Sequence, residues 1–152
     1  MYKLAELARS ALDGAPEAEA VEYLGRWHSW NEIRIVAGRV AHLLDASGID
    51  PRAPIGFVPR NRPSAIAAEI GMIAAARTIR MIYAFQSSAG IARDAGRLHL
   101  SAVVAAEEDF TPELLAVLRE QGMRAVALRE MGAMAVEGGG TLHRGARSPS
   151  AA

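Results

Sequence analysis

Two rhythms of apolar residues alternate along the chain: the three-to-four-residue spacing of a helix face, and short unbroken runs of the kind that form buried strands. Leu4, Leu7, Ala8 and Ala11 share one helical face, so a first helix is predicted over Tyr2–Leu12, ended by Gly14 and Pro16. Val21–Leu24 and Arg26–His28 flank Gly25 and predict a small hairpin. Ser29-Trp30-Asn31-Glu32 then has capping-box spacing, the Ser29 hydroxyl accepting from the Glu32 amide while the Glu32 carboxylate reaches back. A helix should start there and carry Trp30, Ile33, Ala37, Val40 and Leu44 on one face, with Gly48 placed for a left-handed stop.

From there the pattern repeats. Ile55–Val58 reads as a strand, and Pro63 opens a helix through Ile66, Ile70 and Ile73. Ile79–Tyr83 is the next strand, followed by Ser87 or Ser88 as cap of a helix through Ile91, Ala95 and Leu98. Ala102–Ala105 reads as a strand, and Thr111-Pro112 starts a helix carrying Leu114, Leu115 and Leu118 that Gly122 ends. Arg124–Leu128 is the last predicted strand. Strands separated by helices of this length pair in parallel through right-handed crossovers, because a tight turn cannot join parallel neighbours. The predicted fold class is therefore α/β, doubly wound, with a mostly parallel sheet and flanking helices. The predicted division is an N-terminal helix and linker over 1–16, an α/β domain over 17–128, and a flexible tail over 129–152, where Gly, Ser and Ala leave little to bury.

Composition narrows the chemistry. Among 152 residues, seventeen basic and seventeen acidic side chains cancel, so no long-range field draws the chain to nucleic acid. Charges interrupt every apolar run, which predicts no membrane span, and the N-terminus, mixing Lys3, Glu6 and Arg9 into its apolar residues, has no signal-peptide core. The absence of cysteine excludes disulfides, thiolate nucleophiles and Cys-ligated zinc, and fits a cytoplasmic setting. Lys3 is the only lysine. Any reaction that needs a mid-chain lysine is excluded.

Few residues are arranged for chemistry. Gly138-Gly139-Gly140-Thr141 lacks the strand, helix and lysine of a phosphate loop. Glu107-Glu108-Asp109, between a strand and a helix, has the oxygen ligands Mg²⁺ favours, or is a set of solvated acids at a helix start. His28, His42, His99 and His143 are too scattered for a metal pair. Arg60-Asn61-Arg62 follows a strand at the edge where α/β sheets bind ligands, or is solvated loop charge. Tyr23, Trp27, Trp30, Phe57, Tyr83, Phe85 and Phe110 are interleaved with neutral apolar runs, which favours core packing over base stacking.

Several of these stretches together resemble a known family. Val21-Glu22-Tyr23-Leu24-Gly25-Arg26-Trp27-His28-Ser29-Trp30-Asn31-Glu32 is similar to the hairpin and T/S-aromatic-x-E/D helix that open the large domain of adenylate-forming acyl-CoA synthetases. His42–Ile49 resembles the end of that helix, and Ile55–Asn61 the strand leading to a P-N-x-P loop. Ala84–Ile91 sits where these enzymes turn into a helix, and Leu100–Ala105 resembles their "ARVVVA" strand. The order matches over Ala18–Leu128, with one departure at Met81-Ile82-Tyr83, where the family often has a proline.

The resemblance implies an N-terminal fragment, not catalytic alone, of an acid–CoA ligase, an enzyme that activates a carboxylic acid with ATP to an acyl-adenylate and passes the acyl group to CoA, in fatty acid metabolism. ATP, Mg and CoA are implied for the full-length enzyme and no cofactor for this chain alone. The P-K-G phosphate loop, the aromatic-T-x-E and Y-x-T-G-D motifs and the C-terminal lysine of the family have no counterpart here, so no catalytic residue carries over. By analogy with the acetyl-CoA synthetase branch, Phe85, Gln86 and Ser87 are the expected CoA-side loop. The expected partners are the remainder of a synthetase, or a second copy through uncovered apolar surface. The alternative is a free-standing, non-catalytic α/β module binding a nucleotide or a partner; a receiver-like phosphoacceptor is disfavoured because strand Ala102–Ala105 lacks a terminal aspartate.

Overall fold

A computed structural model describes residues 2–136, and the glycine-rich segment 138–141 therefore lies outside the described residues. Helix α1 (Tyr2–Leu12) leads to a hairpin of β1 (Glu19–Tyr23) and β2 (Arg26–Ser29). Then follow α2 (Trp30–Ala46), β3 (Pro54–Phe57), α3 (Pro63–Ala74), β4 (Thr78–Met81), α4 (Ser88–Arg97), β5 (Ala102–Ala106), a 3-10 turn at Glu107–Asp109, α5 (Pro112–Gln121), β6 (Arg124–Arg129) and β7 (Gly132–Ala135). The alternation read from the sequence is the alternation found, and the sheet is mostly parallel as expected.

Local signals explain the element ends. Both halves of the Ser29–Glu32 capping box form at the start of α2. Gly122 takes the left-handed conformation at the end of α5, φ 65°, which costs a glycine little. Between β1 and β2, Leu24 and Gly25 both have positive φ, 52° and 79°, the turn whose backbone twist suits a two-residue hairpin.

The five-stranded sheet has the order β4-β3-β5-β6-β7, with β4, β3, β5 and β6 parallel and β7 antiparallel on β6. Side chains alternate across it. Ile55, Phe57, Ala102, Val104, Val126 and Leu128 pack beneath α2 and α3, whereas Val103, Ala105 and Ala125 pack with Ile91, Ala95, Leu114 and Leu118 of α4 and α5. Helices on both faces explain why β5 is buried at every position.

Two expectations change. Of the aromatic residues expected in the core, Phe57 is fully buried, but Trp27, Tyr83 and Phe85 are more than half exposed. Trp27 lies on a two-stranded hairpin with no layer over it, and Tyr83 and Phe85 follow the edge strand β4. The sheet also continues past Leu128: Arg129 pairs with Gly132 across Glu130-Met131, and β7 forms within the stretch expected as tail. Met131 has φ 48° in that turn, so the strand reversal is made through two central residues, neither of which is Gly, Asn or Pro, with Gly132 closing it.

Candidate functional site

The chain path selects one end of the sheet. From β3 it moves to the edge at β4 by way of α3, then returns across β3 to β5 by way of α4 on the other face. The direction of strand order therefore reverses between β3 and β5. In open α/β sheets, the crevice outside the carboxyl ends of such a strand pair is where ligands bind.

In this chain that crevice is occupied by its own ion pairs. Arg60, just after β3, donates from Nε to Asp109 Oδ2 at 3.1 Å and from Nη2 to Oδ1 at 2.5 Å. Arg62 pairs with Glu108. Arg129, at the end of β6, donates to both Glu107 oxygens at 2.8 and 2.6 Å. Each of three consecutive carboxylates is thus matched to a different arginine, and the 3-10 turn after β5 is tied to the strands on both sides. The Asp109 side chain is 5 % exposed, so it is a buried acid rather than a solvated one, and Arg60 is half-buried rather than free loop charge.

These pairs move proton affinities in the direction their contacts require. Hydrogen bonding to Asp109 raises the Arg60 guanidinium, and hydrogen bonding to Glu108 raises Arg62. The bond from Arg62 lowers the Glu108 carboxyl, as the backbone N–H of Ser29 lowers Glu32 in the α2 cap. A carboxylate held below its unfolded value contributes stability that is complete above that unfolded value and is lost as pH falls through the folded one. The melting temperature is therefore expected to fall as pH drops below the ordinary glutamate range. In a Glu32→Gln/Glu108→Gln double variant the same acid decline should be shallower; equal slopes in the two proteins would contradict this assignment.

The three residues expected as a CoA-side loop lie together between β4 and α4 but have different surroundings. Ser87 is the N-cap of α4, its hydroxyl accepting from the Gly90 amide at 3.1 Å. Gln86 donates through Nε2 to the Tyr83 carbonyl and to Asp94 Oδ2, both at 2.8 Å. A Cβ on Gly90 would come within 2.4 Å of Gln86 Oε1, so the Gln86 amide could keep its present position only beside a glycine and would otherwise have to shift. Phe85 presents an open aromatic face: it is 63 % exposed, lies edge-on to Tyr83 with ring centroids 6.0 Å apart, and has the Arg60 guanidinium carbon 5.9 Å from its centroid.

Two cavities flank this framework. One of about 340 Å³ lies between the hairpin and the β3–α3 loop, against Tyr23, Pro59, Arg62, Ile66 and Glu69. A larger one, about 730 Å³, lies at the opposite end of the sheet, against Leu43, Leu118, Met123 and Val136. Sequence reasoning did not anticipate the surroundings of His28, which is 5 % exposed with Nδ1 lacking a partner among the described residues and 3.7 Å from Glu32 Oε1. Its spacing four residues before Glu32 was the available signal.

Solved structures share this arrangement. The MatB protein of Rhodopseudomonas palustris, known both without ligand and with ATP bound, superposes with a TM-score of 0.67 at 19 % identity, over 82 % of this chain and 25 % of MatB. A structure named for a long-chain-fatty-acid CoA ligase of Rhodopseudomonas palustris CGA009 matches with a TM-score of 0.66 at 20 % identity, over 84 % of this chain and 33 % of that one. The amide bond synthetase Mcba of Marinactinospora thermotolerans, as its K483A mutant, gives 0.62 at 21 % identity, over 79 % and 24 %. This chain has the fold of part of these enzymes. It is the fold expected from the family resemblance, and it spans between about a quarter and a third of their length. No family model matches the sequence, and no curated protein matches it.

The side chains present do not fit Mg–ATP on their own. The acidic triplet is engaged by arginines, no group of three His, Asp or Glu among the described residues is arranged to hold a metal ion, and the only lysine lies in α1. No catalytic step follows from these residues. Among the described residues, no helix is long and apolar enough to cross a membrane.

Proposed function

We propose that the chain is the N-terminal α/β segment of an adenylate-forming acid–CoA ligase and is not catalytic alone. One observation carries this reading: the fold matches most of this chain but only 25 % of MatB, one of several ligase-type structures with the same arrangement. The order of the hairpin, capped helix and strand motifs supports placement at the start of such an enzyme's large domain. The role that fits is structural, a sheet whose carboxyl edge is held rigid by three arginine–carboxylate pairs and which lines the enzyme formed with the remaining domains. ATP, Mg and CoA belong to that larger enzyme, and the cytoplasm is its proposed location.

Within this reading Phe85 is the residue that meets CoA, because its ring is open, while Gln86 and Ser87 hold the turn that presents it. The purified chain is expected to catalyse no ATP–pyrophosphate exchange with any of a panel of carboxylic acids, since the described residues hold no metal cluster and the sequence has no lysine beyond Lys3 to offset charge in the transition state. Measurable exchange would overturn the non-catalytic assignment. CoA titrated into isotopically labelled chain should shift the amide resonances of Phe85, Gln86 and Ser87, and unchanged resonances would remove the CoA-side role while leaving the exchange result to stand separately.

A further inference from the structure

We propose that His28 is a proton-operated latch between the hairpin and α2: on taking up a proton, Nδ1 closes the gap to Glu32 Oε1 and fixes β2 against the helix start. The imidazole lies on β2 with its side chain 6 % exposed, and Nδ1 has no hydrogen-bond partner among the described residues. A polar atom buried in that way carries a cost that folding has left uncompensated. The carboxylate oxygen it approaches, Glu32 Oε1, is 3.7 Å away, beyond hydrogen-bond reach.

The contact lacks one proton. A bare Nδ1 and a carboxylate oxygen are both acceptors, so no bond forms between them, whereas a proton on Nδ1 turns the same pair into a charge-assisted donor and acceptor. Glu32 is kept ready for it. The Ser29 backbone N–H, and after it Arg26, hold the Glu32 carboxyl below the usual carboxylate range, so it stays charged where histidines gain their proton. Oε1 accepts from Arg26 Nη2 at 2.8 Å and has a second lone pair left for Nδ1.

The other charges around the ring do not replace Glu32. On β1 the residue paired with His28 is the apolar Val21, Glu22 gives its carboxylate to the Gly25 amide at 2.7 Å, and Glu19 is exposed at the strand end. On α2, Arg34 is held by the Asn31 side chain, and Glu69 of α3 lines the smaller cavity. Glu32 is the one carboxylate that His28 approaches as an ion-pair partner among the described residues. Two effects oppose the added proton. Arg26 is a like charge, but its side chain is 65 % exposed and water screens it. Burial disfavours a charged ring, and a bond to a full negative charge offsets that.

The bond exists only while His28 is charged and Glu32 is ionised. The hairpin is therefore held most firmly in mild acid: it loosens as rising pH removes the His28 proton, and again as falling pH protonates Glu32. The element so held is a wall of the smaller cavity, which β1 lines with Val21, Glu22 and Tyr23. The assignment stands independently of the ligase reading.

In the full chain carrying isotopically labelled histidine, long-range proton–nitrogen spectra between about pH 4 and 8.5 should show His28 Nδ1 bare at the alkaline end and protonated in mild acid. The spectrum of His28→Phe identifies its signals among those of the four histidines. Hydrogen exchange of the β1–β2 ladder amides, corrected for its intrinsic pH dependence, should slow by about tenfold with the same midpoint and quicken again below the carboxylate range. His28→Phe keeps a ring with no proton to gain, and its exchange should be flat across the histidine range. Glu32→Gln keeps a capping-box acceptor without the charge and should abolish the slowing. Nδ1 protonated at the alkaline end or bare at the acid end, a proton taken up with ladder exchange unchanged or faster, or the same pH profile in His28→Phe would each overturn the proposal. The nitrogen signals are read on the unaltered protein, so the outcome does not depend on how the variants fold.

Discussion

Replacing Gly71 with valine is expected to lower the unfolding free energy by about 3 kcal/mol, detected as a fall in the urea midpoint at constant slope. Gly71 lies in α3 where that helix crosses α2, the most extensive helix contact in the molecule. A Cβ there would stand 2.7 Å from the Ala37 carbonyl oxygen, 2.9 Å from Ala37 Cα and 3.0 Å from its Cβ. Two of those three atoms are backbone, so no rotamer change relieves the overlap. α2 itself is held by its capping box and by Val40 and Leu44, both fully buried under the sheet. Separation of the helices would open the layer that also holds Met72.

The sign of this effect is informative because a helical glycine normally favours the opposite outcome. Exchanging glycine for alanine in a helix interior stabilises by about 0.5–1 kcal/mol when nothing is in the way. Gly38 in α2 provides that case, since a Cβ there meets nothing within 4 Å. Gly38→Ala should therefore raise the midpoint while Gly71→Val lowers it. A Gly71 variant as stable as the parent protein would show that α2 and α3 are not in the contact described.

The difference between these two glycines is also the difference between what the sequence disclosed and what it did not. Helix starts at Ser29, Pro63, Ser87 and Thr111 were legible because caps act through atoms a few residues apart. The buried strands around Val103 and Val126 were legible because burial on both faces demands unbroken apolar runs. The reversal at Glu130-Met131 was not, because β7 is held by pairing with β6 rather than by turn residues with a preference for the conformation. The exposure of Tyr83 and Phe85 was hidden for a related reason: an aromatic residue reads as core until the strand order shows that β4 lies at an edge.

The candidate site was visible in parts and not as a whole. Arg60-Asn61-Arg62 and Glu107-Glu108-Asp109 were each recognisable as charged groups at the ends of strands. Their pairing depends on β3 and β5 becoming neighbours, which no short-range pattern reports. Arg60 and Asp109 are 49 positions apart. The fold supplies their proximity, and the pairing then changes the chemistry of both groups: carboxylates that were available for a cation in the sequence reading are committed to guanidiniums.

Arg60→Ala is expected to cost about 3 kcal/mol of stability, because it strands the buried Asp109 carboxylate without either of its guanidinium bonds. The neighbouring pair gives the contrast. Arg62 and Glu108 have side chains 43 % and 52 % exposed, where water replaces the lost partner, and Arg62→Ala should cost no more than about 1 kcal/mol. A double variant, Arg60→Met/Asp109→Leu, should recover most of the Arg60→Ala loss, since removing both charges eliminates the desolvated acid instead of abandoning it. Urea melts of the three variants separate the causes. If Arg60→Ala and Arg62→Ala prove equally mild, Asp109 is not buried in solution; if the double variant is as unstable as Arg60→Ala, the loss arises from side-chain packing against Phe85 rather than from the unpaired charge. The expected order, severe, mild and rescued, follows only if the switch-point crevice is closed by this ion pair and the acid behind it is shielded from water.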